Sequence, residues 1–324
     1  MNVLLTGGAG YIGSIAADIL LEAGHHVTVY DSLVTGYRAA IPDQADFVHA
    51  DLADKDMLER TLQEGSFEAV LHFAAFIEAG ESMRDPGKYL YNNVALSLGL
   101  IEACVHAGVP RFVLSSSAGV YASSQQMISE EARLEPSNVY GQTKLMVEQS
   151  LEWYRRIHGL RYAALRYFNA AGAWAGRGEA HSPETHLIPI VLQVALGQRP
   201  HVEVFGTDYP TPDGTCIRDY IHVADLVEAH LLALEALGEN DWLVYNLGNG
   251  TGYSVREVIE SGRQVTGHAI PAKEAPRRPG DAPWLVASAE KIGRELGWEP
   301  KRPALGDIIA SAWDWHKAHP QGYD

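Results

Sequence analysis

The chain is short of positive charge: its 25 Lys and Arg stand against 41 Asp and Glu, a formal net charge of -16. A nucleic-acid or anionic-membrane surface needs a positive field at the contact, so this composition argues against both. Small anions stay open, because they need only a few local donors. Cysteine is scarce, with only Cys104 and Cys216 present. No CxxC and no Cys/His ligand spacing accompanies them, so they read as reduced core thiols of a cytoplasmic protein and no metal is expected. The start "MNVLLTGG" lacks a basic segment followed by a long apolar one, so no signal peptide is expected. No uninterrupted apolar stretch approaches the ~18 residues of a membrane span. Internal repeats and low-complexity segments are missing as well.

What is there is a chain of 324 residues, 46% hydrophobic, long enough for a large core and two closely joined domains. "VLL", a glycine turn, a helix-like stretch from Tyr11 to Ala23 and the alternating "HVTVYD" read as strand, turn, helix, strand. The rhythm goes on through "DFVHAD", a helix capped by Asp54, "EAVLHFAA", a long helix from Pro86 to Gly108, "RFVLSSS", a helix from Tyr140 to His158, and "RYAALRYFN". Strands alternating with helices predict an α/β fold, a doubly wound, mostly parallel Rossmann-type sheet. After Asn169 the rhythm breaks into "AAGAWAGRGEAHSPE", which reads as a loop. We therefore expect a first domain over 1–168 and a smaller substrate domain over 169–324. A segment near 218–248 is expected to return, with "WLVYNLG" rejoining the first sheet.

The glycine turn is "LLTGGAGYIGS", with Gly7, Gly8, Gly10 and Gly13 behind the first apolar run. It fits Gly-x-Gly-x-x-Gly and Gly-x-x-Gly-x-x-Gly over the same residues. Either way one glycine permits the turn, one lets a pyrophosphate reach the backbone, and one lets helix and strand pack closely. The helix N-terminus at Tyr11 and Ile12 offers free N–H groups to phosphate. Asp31 ends the second strand about 20 residues on, where an acid accepts from a ribose 2′-OH and repels a 2′-phosphate. That favours NAD over NADP.

"NVYGQTK" places Tyr140 and Lys144 four apart on a helix, and therefore on one face. Free tyrosine titrates near ~10, and a nearby ammonium is expected to lower that value. "SSSAGVY" sets Ser115, Ser116 and Ser117 at a strand's carboxyl end, where open α/β sheets place ligands.

Fingerprint, serine strand end and Tyr-x-x-x-Lys, in this order, resemble the extended short-chain dehydrogenase/reductase superfamily. Within it the chain resembles the UDP-glucose 4-epimerases, through "TGGAGYIGS", "SSSAGVY", "YGQTKLMVEQ", "LRYFNAAGA", "FGTDYPTPDGTCIRDYIHVADL", "YNLGNG" and "HPQGYD". The resemblance implies NAD, a UDP-hexose substrate, transient oxidation at C4 of the sugar and hydride return to the opposite face. It implies Ser117, Tyr140 and Lys144 as the catalytic trio. For the cofactor it implies Asp31, Asp51, Leu52, Phe73, Ala74, Asn93 and Tyr167, beside the glycine turn and Ser115. For the nucleotide-sugar it implies Asn169, His186, Leu187, Phe205, Arg218, Arg278 and Asp281. Arg218 has an alternative partner in Asp219, and Arg277 and Arg278 are interchangeable at this stage. The resemblance also implies a homodimer paired through Pro86–Gly108 and Tyr140–His158. Glu78 stands where some relatives carry a lysine, and Gly119 where threonine is frequent. Other readings are an epimerase for N-acetylhexosamines or pentoses, a 4,6-dehydratase, and a non-catalytic dinucleotide sensor. Ala118 and Gly119, in place of an Asp-Glu pair, argue against the dehydratase.

Overall fold

A computed structural model of the chain describes residues 1–278 and 281–323. Pro279 and Gly280 of "RRPGD" and Asp324 of "HPQGYD" lie outside the described residues. The first half alternates strands β1 (Asn2–Thr6), β2 (His26–Asp31), β3 (Asp46–His49), β4 (Ala69–His72), β5 (Arg111–Ser117) and β6 (Arg161–Tyr167) with helices. The helices are α1 (Tyr11–Glu22), α2 (Lys55–Gly65), the short α3 (Ala79–Ser82) and α4 (Pro86–Tyr89), α5 (Leu96–His106) and α6 (Val139–His158). The second half adds β7 (Asn169–Ala171), α7 (Leu187–Ala195), β8 (Val202–Phe205), β9 (Ile217–His222), α8 (Val223–Ala236) and β10 (Trp242–Leu247). It closes with β11 (Gly252–Ser254), α9 (Val255–Thr266), β12 (Ala272–Ala275), β13 (Trp284–Leu285), α10 (Glu290–Leu296) and α11 (Leu305–Ala318).

Seven strands form one sheet in the order β10-β6-β5-β4-β1-β2-β3. Every pairing in it is parallel. The fold is therefore the doubly wound α/β sheet that the strand–helix rhythm predicts, and "WLVYNL" does rejoin it as the edge strand beside β6. Burial on both faces explains the near-continuous apolar strands. One face carries α1 and α8, with Ile15, Leu20, Val223, Leu226, Val227 and Leu234 buried against Val3, Leu5 and Val29. The other packs Leu58, Leu62, Leu100, Ile101, Val147 and Leu151 against Leu4, Val70 and Phe112. Chain order reverses between β1 and β4, and this switch point opens a crevice at the strands' carboxyl ends.

A second sheet runs β11-β9-β13, with β7 also paired to β9, and β8 pairs β12. Helices α7, α9 and α11 share an apolar core with these strands through Ile188, Val191, Ile259, Ile308 and Trp313.

One expected element differs. Pro86–Gly108 is not a single regular helix: after α4 the chain takes wide π turns over Leu90–Ala95 before α5 begins. Asn93 sits in that segment, only 3% exposed. It accepts from Phe76 N–H at 2.9 Å and donates to the Phe76 carbonyl at 2.8 Å. A π turn inside a helix often marks a functional site. Here it holds the chain that leaves β4.

Candidate active site

The carboxyl ends of β1, β2, β4, β5 and β6 bring the expected cofactor residues together. Gly7 has φ 75° and its amide bonds the Tyr30 carbonyl, so the turn needs a residue without Cβ strain. A Cβ on Gly13 would overlap the Gly7 carbonyl, which fixes how closely α1 enters the turn. Gly10 differs: a Cβ there would meet only the Gly7 carbonyl, at 3.4 Å, and would otherwise project into open space. It is the missing side chain at Gly10, ahead of the free N–H groups of Tyr11 and Ile12, that makes room for a phosphate group. Asp31 is buried and accepts from Ala9 N–H at 2.9 Å and Leu33 N–H at 2.8 Å. Burial raises its carboxyl and these two amides work against that rise. Asp31 thus braces the glycine turn through these two amides.

Asp51 and Leu52 follow β3; Asp51 accepts from Ala53 N–H at 2.8 Å, and Leu52 packs against the core cluster that contains Tyr30. Phe73 and Ala74 leave β4 with both amides on the Thr6 carbonyl, at 2.8 and 3.1 Å. Beneath them His72 links Thr6 Oγ1 (2.7 Å) to Ser97 Oγ (2.8 Å), and Ser97 donates to the Asn93 carbonyl. Since Ser97's proton is committed, His72 must donate from Nε2 and accept at Nδ1. Burial holds it neutral, down to about 3. Tyr167, at the end of β6, donates to Nε2 of His230, whose Nδ1 faces the Leu226 carbonyl at 2.8 Å.

Tyr140 and Lys144 lie one helical turn apart near the start of α6. Asn138 caps that helix through Gly141 N–H at 2.9 Å. A Cβ on Gly141 would overlap the Gly119 carbonyl, so glycine lets the helix meet the turn after β5. That contact sets Tyr140 beside Ser117. The Ser117 hydroxyl accepts from Gly119 N–H at 3.0 Å, which leaves its own proton to donate. Lys144 Nζ donates to the Ser115 carbonyl at 2.7 Å and stands 5.9 Å from the Tyr140 ring centre. The expected lowering of the tyrosine by its lysine is not what the protein alone shows. Burial raises the Tyr140 phenol, Ser117 pulls the other way, and the Glu78 carboxylate adds to the rise. Burial also brings Lys144 down to about 8.

In the second half of the chain, Asp281 joins two guanidinium groups: Arg218 at 3.5 Å and Arg278 at 3.3 Å. Arg218 also donates to the Ile217 and Ala282 carbonyls, and Arg278 stacks 4.4 Å from the Phe205 ring centre. Asp219 is not Arg218's partner. It is fully buried and accepts from Asn249, Gly250 and Ala287 N–H. Arg277 turns instead to Asp208 at 2.7 Å and to Tyr209, whereas Arg278 shares Asp281 with Arg218. Asn169 donates to the Asp219 carbonyl at 2.8 Å. Leu187 opens α7 and His186 caps it, with Nδ1 on Glu179 and Glu184. Burial works against charge on His186, and those two carboxylates overcome it, holding the ring well above its ordinary value.

The family model described as the NAD dependent epimerase/dehydratase family matches residues 3–248. The chain belongs to this family. It is similar to the UDP-glucose 4-epimerase of Streptomyces lividans, with 51% identity over 323 residues, 99% of this chain and 98% of that protein. It is also similar to the solved UDP-glucose 4-epimerase from Brucella ovis in complex with NAD, at 44% identity and TM-score 0.93 over 97% of each chain. A third, from Bifidobacterium longum in complex with NAD+ and UDP, is 36% identical with TM-score 0.95 over 100% of each chain.

For a family member, two parts of the site escaped the sequence reading. Glu78 reaches over the crevice to Thr185 at 2.8 Å, tying the segment after β4 to the loop before α7. Glu179, His181 and Glu184 gather around His186, although the spacing Glu-x-His-x-x-Glu-x-His was visible in "EAHSPETH".

Proposed function

We propose that the chain interconverts UDP-glucose and UDP-galactose. NAD, held at the glycine turn and Asp31, would supply the hydride acceptor and donor for C4 of the sugar. The residues of the glycine turn fit that group, because the space at Gly10 and the acid at Asp31 are the features a pyrophosphate and a ribose require. Tyr140 takes the proton of the sugar 4-hydroxyl and gives it back. Ser117 donates a hydrogen bond to the same oxygen as its charge develops, and Lys144 supplies the positive charge that offsets the burial of a phenolate. Arg218 and Arg278, held at a common height by Asp281, clasp the pyrophosphate. The 4-keto sugar can then turn while its nucleotide stays anchored. Asn169, His186, Leu187 and Phe205 line the nucleotide-sugar side.

The division of labour follows the sheets. Residues 1–168 hold the cofactor and 169–324 the nucleotide-sugar; of the 218–248 segment, α8 and β10 return to the first sheet, while β9, with Arg218, stays in the second. Among the described residues no helix is long and apolar enough to cross a membrane. We place the protein in the cytoplasm as a homodimer, on the strength of the reduced thiols and of the exposed apolar residues of α5's approach and α6.

The observation that carries this reading is the meeting of Tyr140, Ser117 and Lys144 at the end of β5. Purified protein given UDP-galactose and no added NAD should yield UDP-glucose over many turnovers. Tyr140→Phe should cut turnover by ~10²–10⁴ while leaving UDP affinity nearly unchanged. A keto-deoxy sugar as product, or one NADH released per turnover, would overturn the proposal.

A further inference from the structure

The loop from β7 to α7 folds four potential ligands against one another. One donor atom each from Glu179, His181, Glu184 and His186 lies within 4.8 Å of the other three. His181 Nδ1 and His186 Nδ1 approach the same oxygen, Glu179 Oε1, at 2.9 and 2.8 Å. His186 Nδ1 is also 2.9 Å from Glu184 Oε1. The two carboxylates are almost out of water, at 6% and 2% side-chain exposure, whereas His186 is 42% exposed and opens one edge to solvent.

We propose that Glu179, His181, Glu184 and His186 form a structural site for one divalent transition-metal ion of the Zn²⁺ class. Two imidazoles and two carboxylates suit such an ion, whereas Mg²⁺ and Ca²⁺ favour all-oxygen sets. Bonds of about 2.1 Å in a tetrahedron place donors roughly 3.4 Å apart. The three His–Glu contacts, at 2.8–2.9 Å, are tighter by about half an ångström, while the whole donor set lies within 4.8 Å, so an ion enters by a rearrangement of side chains around it. Its two positive charges match the two buried carboxylates with both rings neutral. The ligands are themselves braced: Thr185 and His186 N–H each donate to Glu184 Oε1 at 2.8 Å. The His181 ring meets the edge of Tyr11 with centres 6.4 Å apart. Such outer contacts orient metal ligands. Four protein ligands leave no open coordination position, which makes the role structural. The ion would fix the loop carrying His186 and Leu187 against Tyr11 of the glycine turn, and so join the two halves of the crevice. Nothing in this depends on which sugar is turned over.

The test uses untagged full-length protein. Elemental analysis after purification, or after adding Zn²⁺ to chelator-treated protein and dialysing, should give one ion per chain. Co²⁺ titrated into the chelator-treated chain should produce the strong visible absorption of a four-coordinate site. His181→Ala and Glu179→Gln should each weaken Zn²⁺ binding by about 100-fold or more. The Co²⁺ titration of the native chain stands even if a variant fails to fold. A native chain that neither retains nor takes up either ion at one per chain overturns the proposal. So does uptake unchanged in both variants, since the ion would then sit elsewhere. In the first case the cluster is held by protons on the imidazoles alone.

Discussion

At the scale of single residues, Lys144 is where stability and activity part. Its ammonium is 4% exposed, and burial brings it from 10.5 to about 8. A group lowered in the fold costs stability while it is charged. Below pH 8 that cost is present in full. Between about 8 and 10.5 the unfolded chain binds more protons than the folded one, so stability rises with pH across that window. Lys144→Met should therefore unfold at a higher temperature than the native chain at pH 7. We expect a gain of about 2 kcal/mol once the lost bond to the Ser115 carbonyl is deducted. The gain should shrink towards pH 10, and turnover should collapse throughout. Thermal melts at the two pH values check it; a variant less stable at pH 7 would show that the ammonium is a net support. The same reasoning makes native turnover fall as pH climbs through about 8, because Lys144 then loses the charge that Tyr140 needs. Glu78 is the charged neighbour that acts on the Tyr140 phenol, and it acts the wrong way for a base.

At the scale of elements, α6 works as a rail. Tyr140, Lys144 and Glu148 recur every four residues on one face, and the last of them anchors the helix to the sheet. Glu148 is paired with Arg166 of β6 at 2.7 Å, both nearly buried, and also accepts from Ser116 of β5. Breaking a buried pair leaves one charge uncompensated, whereas replacing both partners can be close to neutral. Arg166→Met should cost about 3–5 kcal/mol in urea unfolding, and adding Glu148→Leu should recover most of it. The double variant should also move the alkaline fall in turnover to lower pH, because the Glu148 carboxylate raises Lys144. Additive losses would mean that the pair does not couple. Most elements were legible, since helix and strand periods and the Asp54 cap are local features. The π turns around Asn93 were not, because only the Phe76 backbone, brought in by β4, explains them. Adjacency suggested Arg218 with Asp219, yet neighbours on a strand face opposite ways. Asp281 became the partner through β13 pairing with β9, a contact no local pattern announces. The cluster at 179–186 was spelled out in the sequence and hidden only by looking for cysteine.

At the scale of the whole molecule, the site proposed above draws its residues from one chain, so in that reading a second copy would serve stability and geometry rather than chemistry. The apolar surface nevertheless has a direction. Leu90 (41% exposed) and Tyr91 (59%) precede α5, and Trp153 (60%) and Ile157 (67%) lie one turn apart on α6. Tyr154 donates to Glu102 at 2.7 Å, which holds α5 and α6 side by side as a two-helix face. Such a face doubled by a two-fold axis makes a four-helix bundle, and a stable interface buries about 1,200–2,000 Å² in all. Each copy also carries a formal charge of -16, so long-range repulsion opposes assembly until salt screens it. These two terms set the expected behaviour. The native chain should sediment as a dimer at about 10 μM in 0.15 M salt and loosen as salt is removed. Ile157→Glu puts a charge at the centre of the apolar face and should sediment as a monomer that keeps its far-ultraviolet spectrum. The proposed nucleotide-sugar residues all belong to one chain, so that monomer should still bind UDP. A native chain that stays monomeric at this concentration and salt would remove the dimer, and it would leave Trp153 and Ile157 as apolar surface in need of another occupant.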